Sequence, residues 1–539
     1  MIYRLLKPFR VFISLVFLIG LSYIFVDFTR NISAGIVNDY TYLQFIPSIL
    51  KFINHLGWSS AGFLFVLTLT FLFGRVYCST ICPLGILQDV SAWLSKRFRI
   101  RKKVYRYAKP LNWFRYGFLS LAILVFLFGS VIAFNMLDPF SNFGKIFSDL
   151  IRPVYAFLNN KIAAILESGK IYLMAPVDLK PLNILTLVFP IFFLALILWF
   201  SLTRARLYCN TICPVGSFLG LVSRFSLFKI LFDKNTCNKC GKCSVACKSF
   251  CIDIKQQQVD FSRCVGCFNC LKVCPSASMV IAPAMKKTKV EIIPTDNNKR
   301  DFISQSIGLL FAFTFIPRLT RAESDTTKIA IQGSSKSNKD IPKNKKPTTH
   351  PEKKNYPVSP PGSVSIEHFN ETCTACHLCV TVCPTKVLKP SMFEYGLIGM
   401  MQPHMNYHVA YCTFECTECT KICPTGAILP ITVEKKKRNQ MGKVIFQKEN
   451  CIPYVEGTAC GSCSEHCPTQ AVKMVTFDKG SLTMPKTDQD LCIGCGACED
   501  ACPTRPFRAI WVDGNQVHQI SKKPAEEKLK VEVKEDFPF

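Results

Sequence analysis

Histidine is nearly missing from the front of this chain. Of eight histidines in 539 residues, only His55 falls within the first 300, and it lies outside the strong apolar runs. A transmembrane haem held by two histidines, the usual way to carry electrons across a bilayer, is therefore excluded for this chain. No Gly-x-Gly-x-x-Gly follows a strand pattern, so a nicotinamide or flavin-dinucleotide site has no signal. Thr425-Gly426-Ala427 lies inside a Cys-Pro motif and is not a flavin attachment site. Acidic residues are few as well, 37 against 65 lysines and arginines, a formal net charge of +28. Such a surplus suggests nucleic acid, but much of it lies in loops beside apolar runs, where membrane proteins are basic on the cytoplasmic side. We therefore expect no nucleic-acid partner.

Cysteine is abundant, with 29 residues. One short unit is written six times. Its cleanest copy is Cys264, Cys267, Cys270, Cys274-Pro275, the spacing that holds a [4Fe–4S] cube. A tight loop aims three thiolates at three corners. The fourth opens onto a short helix and, in two-cluster ferredoxins, reaches the neighbouring cube. Disulfide scaffolds do not bunch thiols so locally, and zinc ribbons use separated pairs. Each cube with four thiolates carries net −2, so six remove roughly twelve of the formal positive charges.

Residues 1–225 read as a four-span membrane domain. Arg4, Lys7 and Arg10 precede an apolar run over Val11–Val26. No small-residue cleavage site follows it, which predicts an anchor with its N-terminus inside rather than a signal peptide. Further spans are predicted over Ala61–Phe73, Tyr116–Leu137 and Leu182–Leu202. The loop holding Lys96, Arg97, Arg99, Arg101, Lys102, Lys103, Arg106 and Lys109 is expected in the cytoplasm. Arg75-Val76-Tyr77-Cys78 with Cys82-Pro83-Leu84-Gly85 matches Arg206-Leu207-Tyr208-Cys209 with Cys213-Pro214-Val215-Gly216. This is an internal parallel repeat, which sets equivalent ends on one membrane face, so both pairs are expected near the cytoplasmic surface, meeting at a pseudo-twofold axis. Cys78, Cys82, Cys209 and Cys213 then form a redox site, either ligating an additional Fe–S or other metal centre or working as dithiols. The alternative is that they merely pack at helix starts.

Residues 226–295 read as a cytoplasmic two-cluster ferredoxin. Its motifs are Cys237, Cys240, Cys243, Cys247 and Cys264, Cys267, Cys270, Cys274, with Cys274 expected to complete the first cube and Cys247 the second. Lys248 stands where proline is expected. Cys251 reads as a spare buried thiol, the alternative being that it replaces Cys247. Residues 296–320, opening on Asn298-Lys299-Arg300-Asp301-Phe302-Ile303, look like a twin-arginine-type export signal or a fifth span. Residues 321–365 read as a disordered tether.

Residues 366–515 carry four motifs: Cys373, Cys376, Cys379, Cys383; Cys412, Cys416, Cys419, Cys423; Cys451, Cys460, Cys463, Cys467; and Cys492, Cys495, Cys498, Cys502. Cys373 to His377 matches a c-type haem attachment pattern, but haem there would strand Cys379 and Cys383. His377 is expected to tune its cube by hydrogen bonding. Residues 516–539 read as a tail. The fold class is thus a multi-domain membrane protein: an α-helical transmembrane bundle, an α+β ferredoxin-like 2[4Fe–4S] domain and a 4[4Fe–4S] polyferredoxin domain.

With these motifs placed, residues 1 to about 295 resemble the NapH-type membrane ferredoxins, and residues about 298 to 515 resemble the NapG or MauM-type periplasmic four-cluster ferredoxins. The resemblance implies a quinol dehydrogenase in the bacterial inner membrane, with residues 226–295 cytoplasmic and the C-terminal domain periplasmic. It would take quinone as substrate, feed a periplasmic reductase or cytochrome, and sit beside other membrane subunits. It also implies nested ligand pairs: Cys502 completing the first C-terminal motif, Cys383 the fourth, Cys467 the second and Cys423 the third. NosR relatives share the paired Cys-Pro motifs, but their flavin-binding domain has no counterpart here. Two other readings are a metal- or thiol-reducing assembly factor resembling CcoG, and a conduit from a cytoplasmic ferredoxin to the periplasm.

Overall fold

In the computed structural model the described residues are 3–27, 32–54, 57, 60–98, 107–172, 174–177, 184–233, 235–284, 350–477 and 482–523. The first apolar run becomes α1 (Tyr3–Val26). Ser33 caps α2 (Ala34–Tyr42) by accepting from the Ile36 amide, and α3 (Phe45–Asn54) follows. The second expected span yields only the twelve residues of α4 (Gly62–Phe73), stopped at Gly74 with φ +77°. Next come α5 (Tyr77–Thr80) and α6 (Pro83–Arg97), each beginning at the Tyr-Cys or Cys-Pro of the first repeat.

The third expected span, Tyr116–Leu137, is broken. α7 (Asn112–Leu127) ends before Gly129, whose φ is +80°, and α8 (Ile132–Leu137) restarts. Asp138 then caps α9 (Pro139–Lys145), its carboxylate accepting from the Ser141 amide at 2.7 Å, with proline at the first position. A π-helical segment (Ile146–Ile151) continues into α10 (Arg152–Ser168), where the apolar pattern predicts no span. α11 (Ile184–Arg204) supplies the fourth, followed by α12 (Leu207–Thr211) and α13 (Pro214–Ser223) in the second repeat. Among the described residues, α1 and α11 are long and apolar enough to cross a membrane, while α3, α4, α7 and α13 are shorter apolar helices.

Both cluster-bearing parts are built of short helices and two-stranded antiparallel sheets. In the first, β1 (Phe228–Phe232) pairs β4 (Met279–Pro283) with Ile230 opposite Ile281. Between them β2 (Ile252–Asp253) pairs β3 (Gln258–Val259). In the C-terminal part β5 (Leu388–Pro390) pairs β6 (Pro403–Met405). β7 (Asn439–Phe446) pairs the long β10 (Ile510–Ile520), and β8 (Val472–Thr476) pairs β9 (Thr483–Thr487).

Two expected boundaries move. The tether over 321–365 ends by residue 350. From there the chain lies on the C-terminal part, with the Asn355 and Tyr356 amides donating to Asp513 and with Val358, Ser359 and Ser363 buried. The tail begins after Ile520 rather than at 516, because β10 runs that far. The export-signal reading of 296–320 lies outside the described residues. The described residues of 1–284 and 347–539 form one compact unit.

Within this unit, α1 is the yardstick. Near its start Leu6 packs into the core of the two-cluster part, beside Cys264, Cys270 and Leu271. Near its end Leu21, Ile24 and Phe25 share a core with Phe140, Phe143, Cys376, Leu378 and Ile422. Nineteen residues at 1.5 Å each separate the two contacts by about 28 Å along the axis, close to the thickness of a bilayer's hydrocarbon layer.

Candidate functional site: a line of thiol sites

The cysteines gather into seven groups. Site I is a cavity lined by Cys237, Cys240, Cys243 and Cys274. Site II is lined by Cys264, Cys267 and Cys270, with both Cys247 and Cys251. Site III brings Cys373, Cys376 and Cys379 to Cys423. At site IV the thiols of Cys412, Cys416 and Cys419 lie within electrostatic reach of Cys383. Site V joins Cys451, Cys460 and Cys463 to Cys502. At site VI Cys467 lies beside Cys492, Cys495 and Cys498.

The C-terminal pairing is therefore sequential, not nested. Each motif lends its last cysteine to its immediate neighbour, Cys423 with Cys383 and Cys502 with Cys467. The physical reason is local. Each motif's short helix packs against that of the next motif, Leu378–Val382 against Glu418–Lys421 and Ser462–Glu465 against Ala497–Ala501, so each fourth cysteine is delivered across one helix pair. Each of these sites encloses four convergent thiols or more in a mainly apolar wall, and that donor set fits a [4Fe–4S] cluster.

The seventh group is Cys78, Cys82, Cys209 and Cys213, all buried in one core with Tyr77, Tyr208, Val265 and Cys267 of site II's loop. The two repeats interlock. Arg75 Nη2 donates to the Cys209 carbonyl at 2.9 Å, and Arg206 Nη1 to the Cys78 carbonyl at 2.6 Å. Gly85 and Gly216 are the counterparts that make room. A Cβ on Gly85 would collide with the Cys78 carbonyl, and one on Gly216 with that of Cys209. The pair of matched sequences thus packs as a two-fold related pair of arginine-to-carbonyl clasps around the four thiols.

The surrounding charge tests whether this group suits a metal centre. Arg10, Arg75, Arg115 and Arg206 are all buried. Asp89 serves Arg10, Arg206 and Lys248 together, at 3.3, 2.9 and 3.2 Å. Arg75 meets no carboxylate among the described residues: its guanidinium goes to Asn210 Oδ1, the Ser262 carbonyl and the Cys209 carbonyl, and its Nε finds no acceptor. Gln88, whose Oε1 accepts from the Cys209 thiol at 3.6 Å, leaves its buried Nε2 unpartnered. A buried guanidinium without a counter-charge costs several kcal/mol. Thiolates bound to iron carry net negative charge and would supply it. The residues fit an anionic metal–thiolate centre better than four neutral thiols.

Neighbouring groups abut throughout. Cys243 of site I lies within electrostatic reach of Cys270 of site II. A Cβ on Gly266, in site II's loop, would come within 2.9 Å of Val76, two residues before Cys78. On the other side Leu87 and Phe147 pack against both the four-thiol core and the core holding Cys376. Cys379 faces Cys419 of site IV. The Cys412 amide donates to the Cys495 carbonyl at 2.9 Å, linking sites IV and VI, and Cys498 faces Cys463 of site V. The order in space is I, II, the four thiols, III, IV, VI, V.

His377 does not serve its cube as expected. Its Nδ1 pairs with Asp149 of the π-helical segment at 2.9 Å and its Nε2 donates to the Met401 carbonyl, within the C-terminal part, at 2.8 Å, so both ring nitrogens are occupied. Arg152 to the Thr381 carbonyl, at 2.7 Å, and Asn135 to that of Met400 add to this seam. Lys145 is fully buried beside it, bonded to the Asn135 carbonyl and side chain at 2.6 Å. Reasoning from cysteine spacing missed Asp89, Asp138, Lys145 and Asp149. Charged residues beside apolar runs were the signal that could have found them. Where α2 and α3 meet Pro424, next to Cys423, lies a cavity of about 400 Å³ lined chiefly by Asp39, Thr41, Tyr42, Ser48 and Lys51.

Known proteins resemble this chain in sequence. A family profile described as "4Fe-4S binding domain" matches residues 55–101 and 185–234, the two stretches that hold the four central cysteines. Profiles described as "4Fe-4S dicluster domain" match 229–291 and 456–506, and a further 4Fe-4S binding domain matches 366–389. Three relatives give the pattern. The putative electron transport protein YccM of Escherichia coli is 28% identical over 39% of this chain and 52% of its own length. The ferredoxin-type protein NapH of Haemophilus influenzae is 24% identical over 39% and 50%. The methylamine utilization ferredoxin-type protein MauM of Methylophilus methylotrophus is 30% identical over 25% and 62%. The chain resembles a NapH-type ferredoxin joined to a MauM-type one. It spans about half the length of YccM and of NapH. Its chemistry is iron–sulfur electron transfer. No solved structure matches it.

Proposed function

We propose that this chain is a membrane-spanning iron–sulfur conduit, quinol dehydrogenase-like, that passes single electrons to a reductase or cytochrome docked on its C-terminal part. The observation that carries this reading is the placement of the two ferredoxin parts at opposite ends of α1, about 28 Å apart, with four buried thiols between them. In this reading residues 226–284 face the cytoplasm and residues 350–523 the periplasm. When bound at the central cysteines, an iron–sulfur or other metal centre supplies the one-electron step across the apolar layer. The chain's own residues do the rest: Arg75 and Arg206 offset its charge, and Leu87, Phe147 and Phe143 exclude water on the side of site III.

Quinol as donor rests on the resemblance and on the 400 Å³ cavity beside Pro424, where the Asp39 carboxylate would accept a headgroup proton. A second reading takes electrons from a cytoplasmic ferredoxin at site I. Cys240, exposed where most cluster cysteines are buried, favours it, because exposed ligands suit exchange with a protein partner. The detergent-purified protein, mixed anaerobically with a reduced menaquinol analogue and followed by cluster bleaching and EPR, decides between them. Reduction by quinol, slowed about tenfold or more in Asp39→Asn, is expected. Reduction by a ferredoxin alone would replace the quinol reading with the second.

A further inference from the structure

Site II holds one thiol too many. A [4Fe–4S] cube offers four iron corners, and Cys264, Cys267 and Cys270 claim three. Both Cys247 and Cys251 line the same cavity. Their sulfurs are 3.4 Å apart, and Cys251 is also within hydrogen-bonding range of the Cys264 thiol. Cys251 is buried at 2% exposure, and its carbonyl is fixed by the Asp260 amide at 2.8 Å, so its sulfur is held where it is.

The intervening loop explains how two thiols reach one corner. Cys247 keeps extended backbone, at φ −79° and ψ 105°, and after it comes Lys248 in place of the expected proline. Its ammonium bonds Asp89 at 3.2 Å. The Ser249 carbonyl accepts from Asn210 at 3.4 Å, and Phe250, at φ +54°, packs against Ala92 and Ala205. The loop is thus gripped from outside by the helices around the four central thiols, while both of its cysteines turn inward.

We propose that site II has a duplicated fourth ligand, with Cys251 able to bind the open iron corner in place of Cys247. One thiolate ligates while the other stays a thiol beside it. Exchange moves one proton from the incoming thiol to the departing thiolate and transfers no electron. Because Asp89 also holds Arg206, and Asn210 adjoins Cys209, the loop that carries this choice is the same one that joins site II to the central thiols.

The test uses the full chain in detergent, with Cys247→Ala, Cys251→Ala and the double variant compared by iron analysis and by EPR after dithionite reduction. Each single variant is expected to keep the iron content of the parent, with a shifted site II signal in Cys247→Ala. The double variant is expected to lose a large part of one cluster's roughly four irons and the site II signal, with signals from the other sites unchanged as the folding control. Loss of those irons from either single variant overturns the proposal, because that residue would then be the sole ligand.

Discussion

Arg75 shows how much one buried side chain can say. It sits at 0% exposure with carbonyls, an amide and the Cys78 sulfur for company, and in the proposed conduit its counter-charge comes from metal-bound thiolates. Replacing it by methionine keeps the volume and removes the charge. With Nη2 3.9 Å from the Cys78 sulfur and an effective dielectric near 20, that charge is worth on the order of 100 mV, so Arg75→Met should lower the midpoint potential of the proposed central centre by about that much in a redox titration. Arg206→Met is expected to be harsher. It removes the fully buried partner of Asp89, leaving only the longer pairs to Arg10 and Lys248, and it frees the Cys78 carbonyl, a loss of about 1–3 kcal/mol visible as a lower thermal unfolding temperature. A different residue sets an acid limit. Burial pushes the His518 imidazole from 6.5 down to about 4, where it bonds Ser359. The unfolded chain binds this proton first as pH falls. The His518 contribution is complete above about pH 6.5 and is lost toward pH 4, at up to about 1.4 kcal/mol per pH unit. Hydrogen exchange over residues 358–363 should speed up across that window, and His518→Gln should flatten the change.

Among the elements, the π-helical segment Ile146–Ile151 decides how the C-terminal part is seated. The wider turn presents Ser148 and Asp149 to His377, and Arg152, one residue beyond, holds the Thr381 carbonyl. Asp149→Leu removes the anchor's acceptor without touching any cysteine. We expect full iron content with electron transfer from the central thiols to site III slowed at least tenfold in stopped-flow bleaching. Unchanged transfer would reduce the seam to packing alone. The spacing of Cys-Pro units made the six cluster motifs legible at this scale, because cluster binding is a local demand on the chain. The breaks in the third expected span were not legible. They depend on Gly129 adopting a positive φ, on Asp138 capping the helix that follows, and on Asn135 between them reaching the distant Met400 carbonyl.

For the whole molecule, the question is whether electrons pass through the centre. Serine at both Cys78 and Cys209 should leave the six outer clusters in place by EPR and stop reduction of sites III to VI by a donor that reduces sites I and II. Transfer at the parent rate would return the four thiols to a packing role. The layout also bears on where partners meet the line. Cys460 and Cys463 of site V, at the far end, are both half-buried, whereas at site III only Cys423 is and Cys373, Cys376 and Cys379 are buried. Charge substitutions around site V should therefore weaken the acceptor's docking more than those around site III.

The sequence by itself determined the chemistry. Thiols spaced two, two and three apart have few uses besides holding iron, and a repeated Arg-x-Tyr-Cys-x-x-x-Cys-Pro-x-Gly marks two equivalent places in one fold. Tertiary structure alone decided which cysteine completes which C-terminal site, and that the two short pairs, expected to meet, lie between site II and site III. Those outcomes depend on contacts between residues more than a hundred positions apart, such as Arg75 with Asn210 and Asp149 with His377, for which local spacing carries no signal.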